Sequence, residues 1–190
     1  MDKIFLMYVF NEGFVSMFTK YSSESPSRKT PMTLAFAYSS PWHCIATFFG
    51  AGVLRPASGT WGTFAAWLVY LALHDVFSIP VWIAITVATF YVGAYACAVT
   101  GDAIHVHDHS SIVIDEVFAI WIVQMAVPFT FLWQVAAFLS FRFFDIVKIQ
   151  PARYFDTSPT WHNGWGVMLD DLAAALQAVL LLGVVRYCLV

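Results

Sequence analysis

The sequence predicts an all-α, multi-helical integral membrane protein with polar active-site loops gathered on one membrane face. Composition is the first observation behind this reading. Of 190 residues, 60% are hydrophobic and 18% aromatic, with a mean hydropathy of +0.72, above the roughly 45–50% apolar share of a soluble domain. The second is run length. Residues 56–74, 76–101 and 117–141 contain no Asp, Glu, Lys or Arg, and residues 172–190 are interrupted only by Arg186. About 20 apolar residues cross a bilayer as a helix. The third is where the charges sit. Only 11% of residues are charged, and the acids and bases gather in short knots within very apolar sequence. A carboxylate in such surroundings is costly unless paired, hydrated or metal-bound, so these knots are candidate functional sites.

The elements follow in order. Residues 1–38 form an N-terminal extension, and residues 39–190 one membrane domain. Residues 22–31, rich in Ser and Pro, read as a linker, and Met32 is an alternative translation start. Pro41 opens a helix to about Phe49, because proline suits a first helical turn. Residues 50–62, with glycines at 50, 52, 59 and 62, read as a loop, and residues 63–73 as a short helix. Residues 81–99 form a full span, and residues 100–111 a polar loop. Residues 112–127 form a helix that Pro128 breaks or kinks. Residues 129–147 continue helically, residues 150–166 are loop, and residues 167–187 form the last helix. If the loops share a site, residues 63–99 return as a hairpin near His74 and Asp75. Residues 117–141 are short for two full passes and return as a re-entrant pair broken at Pro128. Arg55, Arg142, Lys148 and Arg153 then lie on the cytoplasmic side.

Several function classes are excluded or disfavoured. A net charge of −3 gives no electrostatic footprint for nucleic acid. Cys44, Cys97 and Cys188 are far apart in apolar sequence, which suggests neither a disulfide framework nor a thiolate metal site. No phosphate-binding Gly-Lys-Ser/Thr loop is present.

Four constellations carry candidate chemistry. Asp115 and Glu116 open an apolar helix, and Asp170 and Asp171 open another. Each doublet reads either as an acidic first turn favoured by the helix dipole or as metal ligands. Their recurrence beside Gly- or Ser-rich segments favours Mg²⁺, with Mn²⁺ able to replace it, since the donors are hard oxygens. Arg142, Asp145 and Lys148 recur every three residues and so share one helix face. They form either an internally paired ladder or two phosphate-binding cations beside an acid. Gly59, Thr60 and Gly62 precede a helix start, where backbone N–H groups can cradle a phosphate; a plain turn is the competing reading. His105, His107 and His109 alternate around Asp108, a weak zinc pattern; Asp108 joining the carboxylates is the stronger reading.

These segments resemble, in order, those of the phosphatidylglycerophosphatase A family of bacterial membrane lipid phosphatases. They are Ser40-Pro-Trp-His43, Gly50-Ala-Gly52, Gly59-Thr-Trp-Gly62, Val106-His-Asp-His109, Ser111-Ile-Val-Ile-Asp-Glu116, Phe141-Arg-Phe-Phe-Asp145 with Lys148, Arg153-Tyr-Phe-Asp156 and Gly164-Trp-Gly-Val-Met-Leu-Asp-Asp171. The chain departs from the family pattern at Ser58 (family Pro), Ser110 (Gly), Ile114 (Trp) and Ile149 (Pro), and Asp102 stands one position before the family's acid. The resemblance implies Mg²⁺-dependent hydrolysis of phosphatidylglycerophosphate, with membrane lipids as surroundings, in the bacterial inner membrane, with the site facing the cytosol. On this reading Asp115, Glu116, Asp170 and Asp171 hold Mg²⁺. Asp108 and Asp145 act as nearby ligands or base, Arg142 and Lys148 stabilise the phosphoryl group, and Gly59, Thr60 and Gly62 hold phosphate. Two other classes compete: a small transporter or channel using buried carboxylates, and a CDP-alcohol phosphatidyltransferase, whose Asp-Gly-x2-Ala-Arg signature is absent.

Overall fold

The structure, a computed structural model, describes residues 31–106, 109–150 and 164–189. Every regular element in them is helical: α1 (Leu34–Ala37), α2 (Pro41–Ala46), a 3-10 turn (Ala51–Val53), α3 (Ser58–Leu73), α4 (Ile79–Ile104), α5 (Ile114–Ala126), α6 (Phe131–Val147) and α7 (Gly164–Leu189). Local chemistry explains the first starts. Thr33 Oγ1 accepts from Phe36 N at 3.2 Å. Ser40 caps α2, with Pro41 in its first turn, where a missing N–H costs nothing. Residues 33–38, counted with the extension on sequence, touch the domain, with Ala37 buried. Phe36 stacks on His43 with centroids 4.5 Å apart, and Tyr38 Oη donates to Phe49 O at 2.8 Å.

The helix α5 is the hub. Every residue from Ile114 to Trp121, together with Val123 and Gln124, is buried, and α3, α4, α6 and α7 all pack against it. At ~1.5 Å per residue it is about 20 Å long, shorter than the ~30 Å bilayer core. Enclosure by other helices is what permits a short helix with a polar start inside such a protein. The α3–α5 contact depends on small residues: a Cβ at Gly62 would clash with Val113, and one at Gly52 with the Ser111 carbonyl carbon at 3.0 Å.

The helices alternate in direction, so the starts of α3, α5 and α7 and the ends of α4 and α6 come to one end. The hairpin between α3 and α4 turns at residues 74–78, and that between α5 and α6 at residues 127–130, as the sequence expected. The far end is closed by polar contacts and rings. Gln124 Nε2 donates to Gln134 Oε1 at 3.1 Å, Trp67 Nε1 to Gln134 O at 2.9 Å, and His74 stacks on Phe129.

Two helices, α4 and α7, are long and apolar enough to cross a membrane. Only 33% and 28% of their most apolar windows are buried within the protein. Ile83, Val87, Leu176, Leu180 and Val184 point outward. A soluble core helix would cover these side chains, whereas a lipid solvent accommodates them. Trp42, Trp61, Tyr95 and Trp165 are exposed, the pattern of aromatic residues at a membrane–water boundary. The chain is a membrane protein.

Helix bounds differ from the sequence reading in ways that matter for the site. The expected loop at 50–62 ends early, because α3 begins at Ser58, so Gly59, Thr60 and Gly62 are helical. Likewise α4 runs on to Ile104 and α7 begins at Gly164. Apolar contacts from α5 and α4 reward continuing each helix through its glycines.

Candidate functional site

Among the described residues, the polar end of the bundle is assembled from helix ends. Arg142, on the last turns of α6, is its centre. Its Nη1 lies 2.9 Å from Glu116 Oε1 on α5 and 2.7 Å from Asp145 Oδ2 on its own helix. It also donates to Thr63 Oγ1 on α3 at 3.1 Å. Thr63 Oγ1 is itself 3.2 Å from Glu116 Oε2 and 2.9 Å from Gly59 O. One guanidinium thus ties three helices together. Glu116 fills the space a side chain at Gly59 would need, so the glycine serves close approach here and not a turn.

A second cation lies alongside. Lys148 caps α6 in a left-handed conformation, with φ 47°, and its Nζ pairs with Asp170 Oδ2 on α7. The sequence placed Arg142, Asp145 and Lys148 on one helix face. Arg142 and Asp145 do share a face, but Lys148 has left the helix, so its amine reaches α7 rather than Asp145. Asp115, Glu116, Asp145, Asp170 and Asp171 are all buried, giving five carboxylates against two cations. Asp171 lies within electrostatic range of Asp145, Asp115, Asp170 and Glu116.

Arg142 Nε and Asp171 Oδ2, both buried in this cluster, have no hydrogen-bond partner among the described residues. A buried donor and a buried acceptor left open in one cluster each favour a ligand, an anion for the first and a cation for the second. Among the described residues no three His, Cys, Asp or Glu side chains converge closely enough to hold a metal ion as they stand. Glu116 and Asp170 face Arg142 and Lys148 instead.

The remaining sequence candidates divide. Thr60 is half-buried on the first turn of α3. Asp108 and His107 lie outside the described residues, as does Arg153. His105 is exposed and caps α4, whereas His109 is buried with its Nδ1 accepting from Ser111 N at 3.1 Å. The alternation that suggested zinc therefore does not put these two rings in one environment. His43 bonds Thr100 Oγ1 through Nδ1 at 3.0 Å and joins α2 to α4, and burial pushes its imidazole below the ordinary histidine value.

Three residues have contacts that sequence reasoning missed. Thr63 was read only as a helix start, though Gly59, Gly62, Thr63 and Ala66 at helical spacing mark a small-residue face for close packing. Ser58 and Ser110 stood out singly as departures from the family pattern. In the structure they meet, because Ser58 Oγ donates to the Ser110 carbonyl.

Comparison with known proteins identifies the family. The family model for phosphatidylglycerophosphatase A matches residues 44–186, a range that holds Gly59, Thr63, both acidic doublets and both cations. Phosphatidylglycerophosphatase A of Haemophilus influenzae is 40% identical over 148 residues, covering 77% of this chain and 90% of the relative. The Escherichia coli protein of the same name is 35% identical over 156 residues, covering 80% and 87%. A Bacteroides thetaiotaomicron protein provisionally named phosphatidylinositol-3-phosphatase is 34% identical over 150 residues, covering 75% and 92%. No solved structure matches. The chain belongs to the phosphatidylglycerophosphatase A family.

Proposed function

We propose that this chain is a Mg²⁺-dependent lipid phosphatase that converts phosphatidylglycerophosphate to phosphatidylglycerol and inorganic phosphate during phospholipid synthesis. The observation that carries the reading is Arg142, buried among carboxylates at one end of a membrane bundle with Nε still open. A planar guanidinium suits phosphate oxygens. The names of the three relatives share one chemistry, a phosphate monoester on a lipid head group. We further propose that the protein resides in the bacterial inner membrane, crosses it several times and turns this end to the cytosol.

The donors suit Mg²⁺: they are all oxygen, they outnumber the cations, and Asp171 Oδ2 lacks a hydrogen bond. Asp115, Glu116, Asp170 and Asp171 would hold the ion once their side chains turn toward it. Bound there, Mg²⁺ would supply charge neutralisation for phosphate oxygens and a more acidic water. The chain's own residues do the rest. Arg142 and Lys148 bind the phosphoryl oxygens and stabilise the charge that develops on them. Gly59 and Thr60, in the first turn of α3, offer backbone N–H groups to the same phosphate, Gly62 lets α3 approach Val113, and Thr63 holds Arg142 in place. An acid, Asp108 or Asp145, takes a proton from the attacking water. The water oxygen bonds to phosphorus, the bond from phosphorus to the head-group oxygen breaks, and that oxygen takes up a proton.

The test is phosphate release from phosphatidylglycerophosphate in detergent micelles, with Mg²⁺ and with EDTA, and a parallel arm on phosphatidylinositol 3-phosphate. Metal-dependent release from the first lipid is the expected result. Release only from the second moves the substrate to an inositol lipid. No release from folded protein in either arm overturns the phosphatase reading. Asp115→Asn and Asp171→Asn should each abolish release while the protein still inserts; substantial activity in both would sink the metal assignment.

A further inference from the structure

Between the turn at residues 48–54 and helices α3 and α5 lies an apolar cavity of about 620 Å³, within the roughly 300–1,000 Å³ of ligand-binding pockets. It is lined by Phe48, Phe49, Leu54, Ala65, Val69 and Trp121. Three features show what it is built for.

The first is its wall. Phe48, Phe49 and Gly50 have φ values of 45°, 56° and 87°, a left-handed run that includes two aromatic residues. Such a conformation is unfavourable for a non-glycine residue and persists only where the surroundings impose it. Here they do. Tyr38 Oη donates to Phe49 O at 2.8 Å, Gly50 N to Thr47 Oγ1 at 3.3 Å, and Gly52 N to Thr47 O at 3.0 Å. A strained turn is thus held so that two rings line a cavity.

The second is continuity with the site. Both helices that form the cavity also carry site residues: α3 bears Gly59 and Thr63 before Ala65 and Val69, and α5 bears Glu116 before Trp121. At ~1.5 Å per residue, Ala65 and Val69 lie roughly 9 and 15 Å along α3 from Gly59. The third is the mouth. Phe49 is 66% exposed and Leu54 49%, so the cavity opens sideways through apolar residues, where lipid chains lie around a membrane bundle.

We propose that this cavity holds one acyl chain of the lipid substrate, laid along α3 so that the phosphorylated head group meets Arg142 and the carboxylates. The proposal rests on the phosphatase reading and adds how the substrate is oriented. A chain that leaves the bilayer for the cavity exchanges one apolar medium for another. The cavity therefore adds little to affinity; it contributes orientation, which speeds the chemical step.

The experiment has two readouts on the full-length protein in micelles. Phosphatidylglycerophosphate with a photoactivatable diazirine in one long acyl chain should label the segment from Phe48 to Leu54 and Trp121. Ala65→Trp, which fills the cavity, should remove that label, and Leu68→Trp, on the exposed side of α3, should keep it. Labelling spread evenly along the helices and unchanged by Ala65→Trp overturns the proposal. This readout needs no turnover, so it stands apart from the fate of the phosphatase reading. In kinetics, Ala65→Trp should lower kcat/KM about tenfold on the long-chain lipid and leave a short-chain analogue within about twofold of the unaltered protein. An equal loss on both lipids overturns the proposal as well. If Ala65→Trp does not fold, the labelling pattern of the unaltered protein decides.

Discussion

Gly59 shows how little room the site leaves. Its missing side chain is what lets Glu116 reach Arg142 and Thr63. Gly59→Ala should push the carboxylate away and loosen Arg142. A misplacement of about 1 Å can cost on the order of 10²-fold in rate, so phosphate release should fall by about that factor while helix content by circular dichroism is unchanged. Lys148 and Asp170 pose a different question, because they are buried partners on different helices. Removing one partner of a buried pair leaves an uncompensated charge and costs about 3–5 kcal/mol. Lys148→Met should lower thermal stability accordingly. The double variant Lys148→Met/Asp170→Asn should recover much of that stability but no activity. Recovery of both would show that the pair serves packing alone.

At the scale of elements, what matters is how closely the helices approach. The first residue of α7, Gly164, sits against the backbone of α4 at Ala94 and Ala98. A methyl there has nowhere to go, and overpacking costs about 1–3 kcal/mol. Gly164→Ala should lower the melting temperature and displace Asp170 and Asp171 two turns later. Gly183, near the other end of the same helix, has nothing within 4 Å of where a Cβ would stand. Gly183→Ala should leave activity unchanged and raise the melting temperature slightly, since alanine is favoured over glycine in a helix interior by about 1 kcal/mol, and comparing the two variants in one thermal series separates contact from helix propensity. The hairpin of α5 and α6 illustrates a second rule. Proline at 128 ends one helix, and the paired amides of Gln124 and Gln134 close the turn. A short buried helix with two carboxylates at its start is stable here because four neighbours enclose it.

For the whole molecule, alternation of helix direction puts the polar cluster at one end and the His74–Phe129 stack at the other. Ser110 and Asp75 mark the two ends, and Asp75 is exposed, its carboxylate 89% accessible. Cysteines introduced at the two positions, with exposed Cys188 replaced by Ser, should react with an impermeant maleimide from opposite sides of oriented vesicles. Labelling of both from one side would refute the arrangement of the bundle in the membrane.

The sequence by itself determined that the chain is helical, that it belongs in a lipid environment, and that its few carboxylates and cations gather in short knots within apolar sequence. It could do so because apolar run length and the cost of buried charge are local properties, readable without a partner. The two hairpin turns, at residues 74–78 and at Pro128, were legible for the same reason. Other features depend on what lies across a helix interface. Spacing put Arg142, Asp145 and Lys148 on one face, yet a left-handed cap turns Lys148 toward α7. Glycine content made residues 50–62 look like loop, yet from Ser58 onward they are helix, because α5 packs against glycines that open room for it. Thr63 gained a role only through its contacts with Arg142 and Glu116. Only the tertiary structure decided which charges pair, since pairing is a matter of distance between helices that are far apart in the chain.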